Sequence, residues 1–176
     1  MNIIFFIVCT KESAFFSCDK SLNLFKIRAV IQSALNKLRK EVKKLEPYVY
    51  ILNHGKFGEE LIKSAELITG KVDRIKAFSL LPGMSIEEFY ANVQSNIEQD
   101  SPKIILCDIY GGTPSNVAMM LSRKFGFDIL CGINLAMLIE LVLSRANGND
   151  IDEVISKARE AASQSIYQPE KIKEGE

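Results

Sequence analysis

Tyr48-Val49-Tyr50-Ile51-Leu52-Asn53-His54-Gly55 is an apolar run that meets a polar pair and stops on glycine. Five apolar residues in succession suit a strand covered on both faces, because a strand with one wet face alternates apolar with polar residues. The glycine turn then sets His54, the only histidine among 176 residues, at the carboxyl edge of a sheet, where open α/β folds place their chemistry. A second stretch is built the same way. Lys103-Ile104-Ile105-Leu106-Cys107-Asp108 reads as another buried strand, ending in a carboxylate just ahead of Ile109-Tyr110-Gly111-Gly112-Thr113-Pro114-Ser115-Asn116, a glycine turn entering a helix. The two edges are expected to form one site.

From Pro47 onward the same alternation of strand and helix repeats with short polar turns, which predicts a doubly wound α/β fold: a mostly parallel four-stranded sheet with helices on both faces. Strands are expected near 48–53, 73–80, 103–108 and 127–133. A first helix should run from Phe57 to Thr69, with Leu61, Ile62, Ala65 and Ile68 at helical spacing and Gly70 as its stop. Ser85 and Glu88 form a capping box that opens a second, with the apolar series Ile86, Phe89, Tyr90, Val93 and Ile97. Thr113 is expected as the N-cap of a third, with Pro114 at its first helical position and Gly126 as its end. Helices over 135–145 and 151–162 follow, and Ser165-Ile166-Tyr167-Gln168 reads as a candidate short fifth edge strand.

Composition bounds the function. A length of 176 residues with 47% apolar and 25% charged residues fits one soluble domain with a substantial core. A formal net charge of zero argues against a nucleic-acid binder, which normally carries a basic stripe for phosphates. The four cysteines, Cys9, Cys18, Cys107 and Cys131, include no Cys-x-x-Cys pair, so neither disulfide nor zinc is expected. The longest apolar stretch, Ile3 to Val8, is far short of the roughly 20 residues of a membrane span, and it lacks the basic flank of a secretory signal. A cytoplasmic protein without direct membrane insertion is expected.

Residues 1–46 stand apart. They hold nine Lys or Arg against four acids, and 22–45 read as an amphipathic helix with Leu24, Ile27, Ile31, Leu35, Leu38, Val42 and Leu45 on one stripe. We therefore divide the chain into an amino-terminal extension of unassigned role (1–46), a site-bearing domain (47–168) and a tail (169–176).

Histidine can accept a phosphoryl group when one ring nitrogen attacks and the other holds its proton against a fixed acceptor. Asp108, at the end of a neighbouring parallel strand, is placed to be that acceptor and to stabilise the charge growing on the ring. The turn through Gly111, Gly112 and Thr113 adds the amides and positive dipole end of a helix start, which suit an anion. Neither a Gly-x-x-x-x-Gly-Lys-Ser/Thr loop nor a Gly-x-Gly-x-x-Gly fingerprint occurs, so no nucleotide cofactor and no metal is expected. A phosphohistidine without a nucleotide must be charged by another phosphorylated molecule, most simply a protein.

These residues resemble the IIA components of the mannose-type bacterial sugar phosphotransferase system. The resemblance covers about 48–166 and rests on the strand ending in His54-Gly55, the stretch from Phe57 to Glu66, Leu81-Pro82-Gly83, the stretch from Asp108 to Asn116, and that from Gly132 to Glu140. It implies that His54 is phosphorylated, that Asp108 orients it, and that Thr113 with the neighbouring backbone binds the phosphoryl group. It further implies a phosphotransferase that takes the group from the phosphocarrier HPr and passes it to a IIB component working with a IIC/IID permease. Such proteins are typically homodimers built through an exchanged edge strand, a role open to Ser165–Gln168. The extension departs from the family pattern, and with no IIB domain following the last helix the acceptor is expected to be a separate polypeptide.

Two rival readings carry different chemistry. The fold could report phosphorylation state by docking without passing phosphate on. Alternatively Asp108 itself could be phosphorylated, as in receiver domains, but those need acidic residues after the first strand for magnesium, and this chain offers Asn53-His54 there.

Overall fold

The structure, a computed structural model, describes residues 27–36, 46–98 and 102–169. By backbone proximity the chain divides into two compact units, residues 1–40 and 41–176. In the first, residues 27–36 are helical, with Ile27, Ile31 and Leu35 exposed. Leu24, Leu38, Val42 and Leu45 of the expected stripe lie outside the described residues.

The second unit is built from β1 (Tyr48–His54), α1 (Phe57–Thr69), β2 (Ile75–Leu80), α2 (Ile86–Ser95), β3 (Lys103–Cys107), α3 (Thr113–Phe125), β4 (Asp128–Cys131), α4 (Leu135–Ala146) and α5 (Ile151–Gln164). The strands pair in the order β2-β1-β3-β4, all parallel, with Val49 opposite Ile75 and Ile104, and Cys107 opposite Cys131. From β1 the chain crosses to one neighbour and then to the other, so the seam between β1 and β3 is the topological switch point, whose carboxyl end is the usual ligand crevice.

Period-two alternation sorts the side chains into two layers. Val49, Ile51, Ile104 and Leu106 face α1, α4 and α5, meeting Leu61, Ala65, Met137, Leu138, Leu141, Val154 and Ala158. Tyr50, Leu52, Ile105 and Cys107 face α2 and α3, meeting Phe89, Val93, Val117, Ala118 and Leu121, with Phe78 and Phe127 beside them. The first layer is wholly aliphatic, whereas every aromatic residue of the buried core lies in the second. Asn53 falls on the aliphatic face and is fully buried. α1 comes so close there that a Cβ on Gly58 would stand 2.3 Å from Asn53 Oδ1.

The helix signals hold, including the capping box of Ser85 and Glu88 and the stop at Gly70. Three of the four strands are shorter than expected, each for a local reason, whereas β1 runs one residue further, to His54. Arg74 takes a left-handed φ of 58°, so β2 begins only at Ile75. Asp108 leaves the ladder to accept hydrogen bonds from the end of β1. The Gly132 and Ile133 amides both donate to the Cys107 carbonyl, which bends the chain off β4. Helix α3 starts one residue early: Gly112 is its N-cap and Thr113 its first residue. Among the described residues, Ser165–Gln168 do not form the expected fifth edge strand. Ser165 donates its hydroxyl to the Ala162 carbonyl, closing α5 in a turn, and 166–169 run on without a partner strand.

Candidate active site

His54 ends β1 and Asp108 follows β3, so adjacent parallel strands deliver them to the same edge. Asp108 Oδ2 accepts two hydrogen bonds, from the His54 amide at 2.7 Å and from ring Nδ1 at 2.8 Å; Oδ1 accepts the Ile109 amide at 2.8 Å. Because a carboxylate can only accept, this network assigns a proton to Nδ1, so that in the neutral ring the lone pair lies on Nε2. The His54 side chain is 50% exposed and that of Asp108 17%. One nitrogen is thus held within the protein while the ring remains open to a partner.

Burial pushes the Asp108 carboxyl up, but the bonds from the His54 amide, the His54 ring and the Ile109 amide outweigh it and hold the group below its ordinary value. A carboxyl lowered by folding contributes stability above its unfolded pKa, about 3.9, and loses it as pH falls through the lower folded value. The wild-type protein should therefore lose unfolding free energy below about pH 4 more steeply than an Asp108→Asn variant. Equal slopes in urea titrations across that range would show that these bonds hold the carboxylate no better than water does.

Across the ring stands the start of α3. A Cβ on Gly112 would lie 3.0 Å from His54 Cε1 and 3.6 Å from Nε2, so the missing side chain is what leaves room beside the attacking nitrogen. Gly112 has φ −77° and ψ 169°, a conformation open to any residue, so glycine is needed there for space alone. Gly111, at φ 84°, instead supplies the left-handed step of the turn. No side chain caps this helix and no acid stands in its first turn, which leaves its positive end uncompensated. Of the three turn residues Gly112 lies against the ring, with Gly111 and Thr113 on either side in the chain. The expected N-cap role of Thr113 passes to Gly112. Exposed Ile109 and Tyr110 form the outer part of the loop.

Sequence reading missed Asn53. Its Nδ2 donates to the His54 carbonyl at 3.0 Å and the Gly55 carbonyl at 2.7 Å, holding the turn from below. The signal was its place in β1, two residues past Ile51 on a face the apolar run marks as buried. Among the described residues, no group of three or more His, Cys, Asp or Glu could hold a metal, and no helix is long and apolar enough to cross a membrane. Cys107 and Cys131 are free thiols, and burial raises both.

The profile of the EIIA-man family, described as the PTS system fructose IIA component, matches residues 48–159. The chain is 26% identical over 122 residues to the PTS system mannose-specific EIIAB component of Escherichia coli K12, covering 67% of this chain and 38% of that protein. It is 28% identical over 122 residues to the PTS system fructose-specific EIIA component of Bacillus subtilis 168, covering 67% of this chain and 83% of that one. The crystal structure of phosphotransferase system component EIIA from Streptococcus agalactiae superposes with a TM-score of 0.65 at 30% identity, over 69% of this chain and 95% of that chain. The chain therefore spans well under half the length of its Escherichia coli relative.

Proposed function

We propose, from the premise that this chain belongs to the EIIA-man family of phosphotransferase-system IIA components, that His54 accepts a phosphoryl group from phosphorylated HPr and passes it to a IIB component. The observation that carries this reading is the division of labour on one ring: Nδ1 tied to Asp108, Nε2 open beside an uncapped helix start. In the forward step the Nε2 lone pair attacks phosphorus in line while the bond from phosphorus to the donor's histidine breaks. No proton moves, since Nδ1 keeps its hydrogen. The ring gains positive charge as the new bond forms, and the fixed Asp108 carboxylate offsets it. Amides of the Gly111-Gly112-Thr113 turn and the dipole of α3 receive the phosphoryl oxygens, and positioning supplies most of the acceleration. Transfer to the acceptor is the same displacement reversed.

Within this reading the protein is cytoplasmic and works beside a IIC/IID permease. Exposed Ile166 and Tyr167 would find their strand partner in a second copy, giving a homodimer.

The experiment is incubation of the purified chain with phosphoenolpyruvate, enzyme I and HPr, followed by intact mass and mapping of acid-labile phosphate. One phosphoryl group on His54 is expected; no label, with enzyme I and HPr shown to be active, would overturn the relay. Two variants probe the geometry. Asp108→Asn should keep the fold and slow transfer on the order of a hundredfold, because an amide can accept from Nδ1 but cannot offset the growing charge. Gly112→Ala should slow transfer at least tenfold with little change in stability, since its methyl group meets Cε1 at 3.0 Å without any backbone strain. Wild-type rates in both would move the phosphoryl site away from this edge.

A further inference from the structure

We propose that Asn53 is a positioning residue for the phosphoryl acceptor: its buried carboxamide grips the His54 and Gly55 carbonyls and so fixes the main chain beneath the imidazole. The inference rests on the assignment of His54 as acceptor. Three observations carry it. Nδ2 spends its two hydrogens on the two carbonyls that flank the turn, at 3.0 Å to His54 and 2.7 Å to Gly55. Rotating the amide by half a turn would set Oδ1 against both acceptors, so the orientation is fixed by chemistry. Oδ1 is in turn the one buried side-chain nitrogen or oxygen among the described residues without a hydrogen-bond partner, and α1 approaches it closely at Gly58.

An orphaned buried acceptor costs stability, and an apolar residue on this face, shared with Val49 and Ile51, would avoid that cost. What an apolar residue cannot do is hold the peptide planes on either side of Gly55, which turns the chain at φ 56° directly after the strand. His54 is therefore pinned at both ends of its backbone. Its amide is held by Asp108 Oδ2 at 2.7 Å and its carbonyl by Asn53. Only the side-chain torsions remain, and the bond from Nδ1 to Asp108 sets those. Holding an attacking atom within a fraction of an ångström is worth large factors in rate, which gives the orphaned oxygen a purpose.

The test compares wild type with Asn53→Ala, which removes both donors, and Asn53→Ser, which restores one. Single-turnover transfer from phosphorylated HPr should slow about tenfold to a hundredfold in the alanine variant, with half-saturation by HPr unchanged and partial recovery in the serine variant. The ring 15N spectrum of His54 needs no phosphoryl donor. It should show a single Nδ1–H tautomer in wild type and a tautomer mixture in Asn53→Ala. A lowered thermal midpoint with wild-type transfer and a wild-type ring spectrum would overturn the proposal and leave Asn53 a structural residue. If wild type takes no label while the alanine variant alters the ring spectrum, Asn53 still positions the ring and the relay reading is what fails. Should the alanine variant not fold, the serine variant decides, since a rate and spectrum equal to wild type would show that one donor suffices and the double grip has no role.

Discussion

A His54→Ala protein is expected to take up no phosphoryl group from the phosphoenolpyruvate, enzyme I and HPr mixture while unfolding within a few degrees of wild type. The chemical half of this expectation is simple: the chain has one histidine, and removing it removes the only imidazole that could be charged. The structural half follows from exposure. Half of the side chain is in solvent at the end of a strand, so its truncation opens no cavity in either apolar layer. Asp108 loses the ring bond yet keeps two acceptances, from the amides of residues 54 and 109, and neither depends on the side chain. Acid-labile phosphate in the H54A protein, measured by intact mass before and after mild acid, would overturn the acceptor assignment.

The largest loss of stability is expected from Arg145→Met, about 3 kcal/mol in urea unfolding. Arg145 is 4% exposed near the end of α4, and its guanidinium donates to the carbonyls of Pro47 at 3.2 Å and Arg74 at 3.0 Å and to that of Asp73. These carbonyls belong to the segments that lead into β1 and β2, so one side chain aligns the starts of two neighbouring strands. Burial lowers the pKa of the guanidinium, yet the group stays charged at any working pH. Methionine fills much of the space but withdraws every guanidinium donor, although the Arg74 carbonyl keeps the bond from the Val49 amide. Lysine would do little better, since a single ammonium cannot match a planar fork aimed at three oxygens. Because these contacts sit at the end of the sheet opposite His54, transfer by the folded fraction should be unchanged. An unfolding midpoint equal to wild type would show that water reaches those carbonyls.

Both residues mark how much the sequence reveals. The helices were legible because their ends are written in side chains: Ser85 with Glu88 opens α2, and Gly70 and Gly126 close α1 and α3. The pairing of His54 with Asp108 was legible because two apolar runs of similar length end in polar residues, and parallel neighbours bring such ends together. Strand limits were less so, because hydrophobicity continues through Ile133 where the hydrogen-bond ladder has already stopped. Asn53 and Arg145 escaped for a shared reason. Polar side chains are ordinarily read as surface, whereas these two answer buried backbone carbonyls whose positions only the folded chain defines. Arg145 did carry a trace of its burial, since it continues the spacing of Leu138, Leu141 and Val142 on one face of α4.

The separation of aliphatic and aromatic layers has an optical consequence. The chain contains no tryptophan, and the rings in the buried core all stand on the α2 and α3 side of the sheet. Among the described residues, the packed rings that give the strongest near-ultraviolet dichroism therefore report on the α2 and α3 side of the sheet, while Phe57, Tyr110 and Tyr167 are exposed. Loosening of the aliphatic layer would change the far-ultraviolet helix band more than the dichroism of those packed rings, so two probes of one sample are expected to give different midpoints.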